Sequence, residues 1–126
     1  MTRLFTYNKK ERLKSRKQIE QLFTQGKSVN NYPVKLFYFF NSEDVLPNVK
    51  AGVGVSKKYF KSAVKRNRIK RLLREAYRLN KHIITDNANN KNRTAHIFFL
   101  YTSAEILSYS EIEKKVVALM TMMINK

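Results

Sequence analysis

The chain has 126 residues, enough for one compact domain with a single hydrophobic core. It carries 26 Lys and Arg against 9 Asp and Glu, a formal net charge of +17, while 43% of its residues are hydrophobic and 12% aromatic. Disordered basic tails lack such aromatic content, so a folded domain with a cationic surface is predicted. That surface favours nucleic acid over an anionic membrane, because the most basic segment does not show the face of Trp, Phe and Leu that membrane-surface helices set opposite their lysines.

Cysteine is absent from the sequence, which excludes disulfides, zinc sites with Cys ligands and thiol catalysis. Residues 1–17 are basic, but neither an apolar segment nor a small-residue cleavage site follows them, so no export signal is predicted. The most apolar run, residues 36–40, is too short to cross a bilayer. We expect a cytoplasmic protein with one nucleic-acid-binding domain over residues 1–126, in which residues 1–14 form a basic N-terminal arm.

The first predicted element is a helix from about Ser15 to Gln25, because a capping-box pattern of Ser15 and Gln18 begins it and Gly26 ends it. Its apolar face consists of Ile19, Leu22 and Phe23. Alternation with a period of two then predicts two strands that pair antiparallel. The first has Val34, Leu36, Tyr38 and Phe40 on one face, and Lys35, Phe37 and Phe39 on the other. In the second strand, Val49, Ala51, Val53 and Val55 alternate with Lys50, Gly52, Gly54 and Ser56.

Residues 57–81 form the most basic segment, with eleven Lys or Arg and one acid, Glu75. Ser62 is a suitable N-cap for a helix whose apolar stripe is formed by Ile69, Leu72, Leu73, Ala76 and Tyr77. The opposite side carries Asn67, Lys70, Arg71, Arg74 and Arg78, while Lys65 and Arg66 are expected in the first turn against a cleft or strand. Solvated helix faces usually mix charge signs, so this nearly pure cationic face predicts binding to phosphates, which pair well with guanidinium groups.

The C-terminal part is predicted to contain a polar loop at residues 86–94, a third strand at residues 96–101 and a final helix. A crossover connection would bring the third strand into the same sheet. A capping-box pattern of Ser110 and Glu113 precedes the inward stripe of Ile112, Val116, Leu119, Met120, Met123 and Ile124. His82 and His96 are distant from each other and from any acidic cluster, so no metal site is predicted.

Two stretches closely resemble the signature of bacterial ribonuclease P protein subunits. Residues 53–58 read Val-Gly-Val-Ser-Lys-Lys, and residues 63–77 contain the Arg66-Asn67-Arg68 triplet that is the hallmark of that family. The resemblance extends to Arg12-Leu13-Lys14 and to the spacing of Ile19, Phe23 and Gly26. It implies an α+β fold: a single-domain αββαβα sandwich with a small mixed sheet and a left-handed crossover helix, of the ribosomal protein S5 domain 2-like type.

The resemblance also implies a function as the protein subunit of the ribonuclease P ribonucleoprotein. Such a subunit binds the catalytic RNA and the 5′ leader of precursor tRNA and assists endonucleolytic removal of the leader. The RNA would carry out phosphodiester hydrolysis with its own Mg²⁺. The resemblance therefore implies no catalytic residue and no cofactor or metal bound by the protein itself.

Carried over by position, the contacts to the catalytic RNA would be Lys57, Lys58, Lys65, Arg66, Asn67, Arg68, Lys70, Arg71, Arg74 and Arg78. The leader-binding cleft would include Ile19, Phe23, Lys35, Phe37, Phe39, Lys50 and Ser56. Aromatic platforms, cations and glycines on one strand face suit an unstacked RNA strand. The alternative is that Phe37 and Phe39 are ordinary core residues beneath the first helix. Ile19 and Tyr101 depart from the aromatic and basic residues that are common in relatives.

The alternative function is that of a ribosomal or other structural RNA-binding protein, which would share the charge but needs no cleft for a single strand. A nuclease that acts without RNA is disfavoured, because cationic side chains greatly outnumber any clustered carboxylates that could hold Mg²⁺.

Overall fold

The structure, a computed structural model, describes residues 12–13, 16–41, 49–56, 58–91 and 94–125. Within them the elements are α1 (Arg16–Gln25), β1 (Lys27–Asn31), β2 (Val34–Asn41), β3 (Val49–Val55), α2 (Ala63–Asn80), α3 (His82–Lys91), β4 (Thr94–Tyr101) and α4 (Tyr109–Ile124). The strands form one four-stranded mixed sheet in the order β1-β2-β4-β3. The predicted α+β class is therefore confirmed. Of the predicted N-terminal arm, only Arg12 and Leu13 lie within the described residues.

The predicted antiparallel pairing of β2 with β3 is wrong, because β4 lies between them. β4 pairs antiparallel with β2 and parallel with β3, so that Phe98 stands beside Phe37 on one side and Gly52 on the other. The physical reason is burial. β4 is apolar on both faces, and such a strand is most stable in the middle of a sheet. The crossover through α2 and α3 sets β4 parallel to β3.

Two elements were not predicted, and each carries a weak pattern. In β1 only Val29 is buried, so five residues show no recognisable alternation. In α3 the buried residues are Ile84 and Ala88, a single pair at helical spacing, among asparagines that are poor helix formers. The polar loop predicted at residues 86–94 is therefore largely helix, and its residues 92 and 93 lie outside the described part.

The helix ends follow local chemistry. The first helix has the predicted bounds to within one residue, but its proposed cap Ser15 lies outside the described residues. Gly26 follows α1 because space is short there: a Cβ at this position would lie 2.3 Å from the Leu22 carbonyl oxygen. The cap predicted at Ser110 is wrong. α4 begins two residues earlier, where Ser108 Oγ accepts a hydrogen bond from Glu111 N.

The main core lies on one side of the sheet, where α2 and α4 pack together against β1, β2 and β3 and α3 joins them. The predicted stripes of α2 and α4 are confirmed: Ile69, Leu73, Ala76 and Tyr77, and Ile112, Val116, Leu119, Met120 and Met123, are buried. Leu72 and Ile124 pack at the margin of this core. On the other side α1 packs against β2 and β4. Ten residues of helix cover the sheet only in part, so this face is the place to look for a ligand site.

Candidate nucleic-acid interface

Three rows of side chains cross the sheet on the face that α1 partly covers. The strand register sets Lys35, Leu100 and Gly54 in one row, Phe37, Phe98 and Gly52 in the next, and Phe39, His96 and Lys50 in the third. These rows contain the predicted cleft residues of β2 and β3, which are Lys35, Phe37, Phe39 and Lys50. Ser56, also predicted for the cleft, follows the end of β3. Aromatic rings, cations and glycines therefore share one open sheet face, as the alternation along each strand indicated.

An aromatic cluster occupies the middle row. The Phe23 ring of α1 lies edge-on to Phe37, with centroids 4.7 Å apart, and to Phe98, with centroids 5.4 Å apart. Phe23 remains 44% exposed, and the Nζ atom of Lys35 lies 5.0 Å from the Phe37 centroid. Phe37 is thus partly covered by α1, as the core alternative expected, yet the cluster presents aromatic surface and a cation to solvent.

Phe98 was not among the residues predicted for the cleft, and two glycines make its position possible. A Cβ at Gly52 would lie 2.9 Å from Phe98 Cδ2, and a Cβ at Gly54 would lie 2.7 Å from Phe98 Cζ. The ring therefore lies directly on the backbone of β3, in space that any other residue would fill. The signal that could have identified it is the alternation of His96, Phe98 and Leu100 along β4.

A cavity of about 340 Å³ opens beside this ring. Ile19 of α1, Gly52 of β3 and Phe98 of β4 line it together with the basic residues Arg12 and Arg74. Arg12 is held near β3, because Leu13 N donates a hydrogen bond of 2.9 Å to the Ala51 carbonyl oxygen. The cavity and the aromatic cluster of Phe23, Phe37 and Phe98 are together called the sheet cleft below.

The remaining predicted cleft residues lie further from the cavity. Phe39 and Lys50 flank the buried His96 on the same face, one row beyond the aromatic cluster. Ser56 is engaged elsewhere, since its Oγ accepts from Lys58 N at 3.3 Å and its own N donates to the Tyr101 carbonyl oxygen at 3.2 Å. Ser56 thereby begins the segment that leads into α2.

α2 begins as predicted, with Ser62 Oγ accepting a hydrogen bond from Lys65 N. Arg66 is turned back onto the approaching segment, where its Nη1 donates to the carbonyl oxygens of Phe60 at 2.7 Å and Lys61 at 2.8 Å. The exposed polar residues of the helix are Lys65, Asn67, Arg68, Arg71 and Arg74, and Lys70 is half-buried. Lys57 lies outside the described residues.

Helical spacing divides these side chains among three directions. Lys70 and Arg74 share the flank that reaches the cavity, Arg71 points outward, and Arg68 lies about 120° around the helix from Arg74. Arg74, predicted to contact the catalytic RNA, therefore lines the sheet cleft.

The charges of α2 are poorly balanced within the protein. The first turn holds no acidic residue, so Lys65 and Arg66 face the positive end of the helix dipole. Glu75 is the exception, since a hydrogen bond from Arg78 lowers the pKa of its carboxyl group and keeps it ionised. Arg78 is thus already paired with a carboxylate. Lys65 and Arg66 have no acidic residue in their helical turn, so an external anion would relieve the repulsion between them and the helix dipole.

Tyr101 belongs to the core and not to the open sheet face. Its ring is fully buried, its OH donates to the Glu105 carbonyl oxygen at 2.6 Å, and it accepts from Leu107 N at 3.2 Å. Burial raises the pKa of this phenol. Among the described residues, no three His, Cys, Asp or Glu side chains come together as metal ligands would. The helices within those residues are too short or too polar to span a membrane.

Comparison with known proteins identifies relatives over nearly the whole chain. The sequence matches the profile of the Ribonuclease P family over residues 7–123. It is 41% identical over 110 residues to the ribonuclease P protein component of Porphyromonas gingivalis, covering 87% of this chain and 80% of that protein. The protein component from Clostridium novyi is 33% identical over 112 residues, which cover 89% and 92% of the two chains.

Solved structures agree on the fold. The RNase P protein of Staphylococcus aureus superposes with a TM-score of 0.71 at 24% identity, covering 90% of this chain and 94% of that one. The RNase P protein from Thermotoga maritima gives a TM-score of 0.69 at 25% identity, with 89% and 96% covered.

Proposed function

We propose that this chain, which belongs to the ribonuclease P protein family, uses two RNA-binding surfaces. It is a protein subunit of the endonuclease that matures the 5′ end of tRNA. The sheet cleft would hold the 5′ leader of precursor tRNA, and the outward side of α2 would dock on the catalytic RNA. The observation that carries the proposal is the junction of these surfaces at Arg74. This residue lines the cleft, while Arg68 and Arg71 of the same helix are exposed and are not among the residues that line it.

The chemistry of the sheet cleft suits a single strand with unstacked bases. Exposed surface of Phe23 and Phe98 offers platforms on which a base could stack, and each base stacked on an aromatic ring contributes about 1–3 kcal/mol. Arg12 and Arg74 would supply cations to the strand's phosphates. A double helix is too wide for a cavity of about 340 Å³, so the proposal is limited to a single strand.

The outward side of α2 suits a folded RNA. Asn67, Arg68 and Arg71 are exposed on a helix that is anchored to the core by its apolar stripe, so their positions are fixed by the fold. Arg66 would act differently from the neighbouring cations, because its hydrogen bonds to Phe60 and Lys61 set the path of the segment before the helix. We assign it mainly a positioning role within this surface.

We propose the division of labour between protein and RNA that the family resemblance implies. The catalytic RNA and the Mg²⁺ bound to it would carry out the hydrolysis, and the protein would raise affinity for precursors and lower the repulsion between two polyanions. The protein would act in the cytoplasm with these RNAs. Holoenzyme reconstituted with the chain should cleave precursor at lower Mg²⁺ than the RNA alone, whereas RNA-free protein should cleave nothing. Cleavage by rigorously RNA-free protein would contradict this part of the proposal.

Phe98→Ala tests the leader site. The dissociation constant of reconstituted holoenzyme is measured for a precursor with a leader and for the same tRNA without one. We expect the variant to weaken binding of the leader-bearing precursor by about 1–3 kcal/mol and to leave the leaderless tRNA unchanged. An equal loss for both RNAs would show that Phe98 supports the fold and not the leader.

Arg74→Ala, Arg71→Ala and Arg68→Ala form a matched set on one helix. Loss of one phosphate contact should reduce the slope of log affinity against log salt by about 0.7 to 0.9. For Arg74→Ala we expect that reduction in leader-dependent binding. For Arg71→Ala and Arg68→Ala we expect it in binding to the catalytic RNA alone. If the three variants behaved alike in both assays, the separation into two surfaces would be wrong.

A further inference from the structure

A second cavity, of about 610 Å³, opens at the end of the sheet where β2 begins and β4 finishes. Its walls include Tyr32, Pro33, Tyr59, Glu105, Glu111 and Lys115, and it is called the tyrosine pocket below. It shares no lining residue with the cavity of the sheet cleft. Its size falls within the range of about 300–1,000 Å³ that is usual for small-ligand sites.

Both tyrosine rings are accessible to a ligand. Tyr32 is 64% exposed and Tyr59 is 41% exposed, so neither ring is needed to fill the core. The Nζ atom of Lys58 lies 5.7 Å from the centroid of the Tyr59 ring, and Lys115 stands on the wall of the pocket. Exposed aromatic rings beside lysines combine a surface for stacking with charges for a phosphate backbone.

The walls of the pocket are held in place by hydrogen bonds. The Pro33 carbonyl oxygen accepts from Thr102 N at 2.8 Å and from Thr102 Oγ1 at 3.1 Å, which joins the start of β2 to the segment after β4. The OH of the buried Tyr101 is bonded to both Glu105 and Leu107 in that segment. A ligand would therefore meet a largely preformed site.

The carboxylates indicate which base would fit. The Glu111 Oε1 atom accepts a hydrogen bond from Ser108 Oγ at the start of α4, whereas no hydrogen bond within the described residues occupies the Glu105 carboxylate. Guanine presents two adjacent donors, N1–H and N2–H, which match the two oxygens of a carboxylate. Adenine, cytosine and uracil each set an acceptor beside their donor on that edge, which a carboxylate repels.

The position of the pocket favours RNA over a peptide. Tyr59 lies four residues before α2 begins, close to the exposed Lys58 and Lys61, so the pocket adjoins the basic segment that leads into that helix. We infer that the tyrosine pocket binds an unpaired guanine of the catalytic RNA, stacked on Tyr59, with its Watson–Crick edge on Glu105. This rests on the proposed docking of the catalytic RNA, and the test below separates the two.

Kethoxal footprinting provides the test, because kethoxal reacts with N1 and N2 of unpaired guanines. The chain's own ribonuclease P RNA is probed alone and in holoenzyme made with the unsubstituted protein, Tyr59→Ala, Tyr59→Phe or Glu105→Gln. We expect at least one guanine to be protected about fivefold or more by the unsubstituted protein and by Tyr59→Phe, which keeps the ring. Tyr59→Ala should abolish this protection, and Glu105→Gln should reduce it. Thermal unfolding of each free variant checks that the fold is intact.

The outcomes separate the inference from the proposed function. If holoenzyme forms and no guanine depends on Tyr59, the pocket does not bind the catalytic RNA, while the docking of α2 stands. If the unsubstituted protein fails to bind the RNA at all, the proposed function fails, and the inference fails with it.

Discussion

Replacing Gly52 by alanine would test the construction of the sheet cleft with a single methyl group. The new Cβ would lie 2.9 Å from Cδ2 and 3.2 Å from Cε2 of Phe98, closer than carbon atoms tolerate. The ring has little room to withdraw, because Phe23 packs on it with centroids 5.4 Å apart and Phe37 occupies the adjacent position of β2. Gly52→Ala must therefore tilt Phe98 toward α1.

The expected loss of stability can be bounded from general values. Overpacking by one methyl group usually costs ~1–3 kcal/mol, and alanine in place of glycine in a strand returns ~0.5–1 kcal/mol through the unfolded state. We expect the free energy of unfolding to fall by about 1–2 kcal/mol. The tilted ring should also lose its place as a platform, which would weaken leader-dependent binding by about 1 kcal/mol or more.

Urea unfolding of the free protein measures the first effect, and holoenzyme binding to precursors with and without a leader measures the second. Phe98→Ala supplies the control, because it removes the two ring atoms that the new Cβ would meet. Gly52→Ala should then cost almost nothing in the Phe98→Ala background, which a double-mutant cycle would show as a coupling of about 1 kcal/mol or more. Unchanged stability and unchanged leader affinity in the single variant would refute the contact on which the cleft is built.

Three further predictions concern the rest of the chain. Ser108→Ala should lower the free energy of unfolding by about 1 kcal/mol, because α4 loses its N-cap, whereas Ser110→Ala should change that free energy by no more than about 0.5 kcal/mol. Urea titrations measure both values, and the opposite ranking would favour the cap at Ser110 that the sequence predicts. Burial and the hydrogen bond to Glu113 raise the pKa of Tyr109 to about 12, so the folded state favours the neutral phenol. The free energy of unfolding should decline as pH rises from 10 to 12, and the decline should be smaller for the Tyr109→Phe variant. With a net charge of +17, the free protein should melt at a higher temperature in 0.2 M than in ~0.01 M NaCl, and a constant midpoint would contradict the self-repulsion.

Sequence reasoning predicted the elements whose stability is local. α2 and α4 have long apolar stripes at helical spacing, and both stripes are buried as expected. β2 likewise shows a clear alternation, with Val34, Leu36 and Tyr38 buried. β1 and α3 were missed because each buries only one or two side chains and gains its order from neighbours, β1 by pairing with β2 and α3 by packing on α4.

The order of the strands in the sheet could not be predicted from the sequence for a different reason. Pairing depends on which strands meet in space, and a chain that returns through α2 and α3 can insert β4 between two strands that are closer in sequence. Once β4 is central, its Phe98 joins Phe37 and Gly52 in one row. The residues of β2 and β3 that the resemblance assigns to the leader, Lys35, Phe37, Phe39 and Lys50, therefore lie on one face of the sheet, while the sequence analysis did not identify the ring between them.

The position of Arg74 shows the same limit on a helix. Its spacing from the apolar stripe indicates only that it is exposed, and both neighbours Lys70 and Arg71 satisfy the same criterion. Which flank reaches the cavity is decided by how α2 packs against β3 and α4. Only the structure therefore separates a cation that lines the cleft from those that point outward.

This separation has an electrostatic consequence for the proposed function. A leader in the sheet cleft and a catalytic RNA on the outward side of α2 would run within about one helix diameter of each other, roughly 10–12 Å. The Debye length is ~8 Å at physiological salt, so dissolved ions alone would leave part of the repulsion between the two strands unscreened. Arg71 and Arg74 lie on a helix that its buried stripe anchors, so in this arrangement they would stand between the two strands and neutralise both. The benefit of the protein to precursor binding should therefore be largest at low salt.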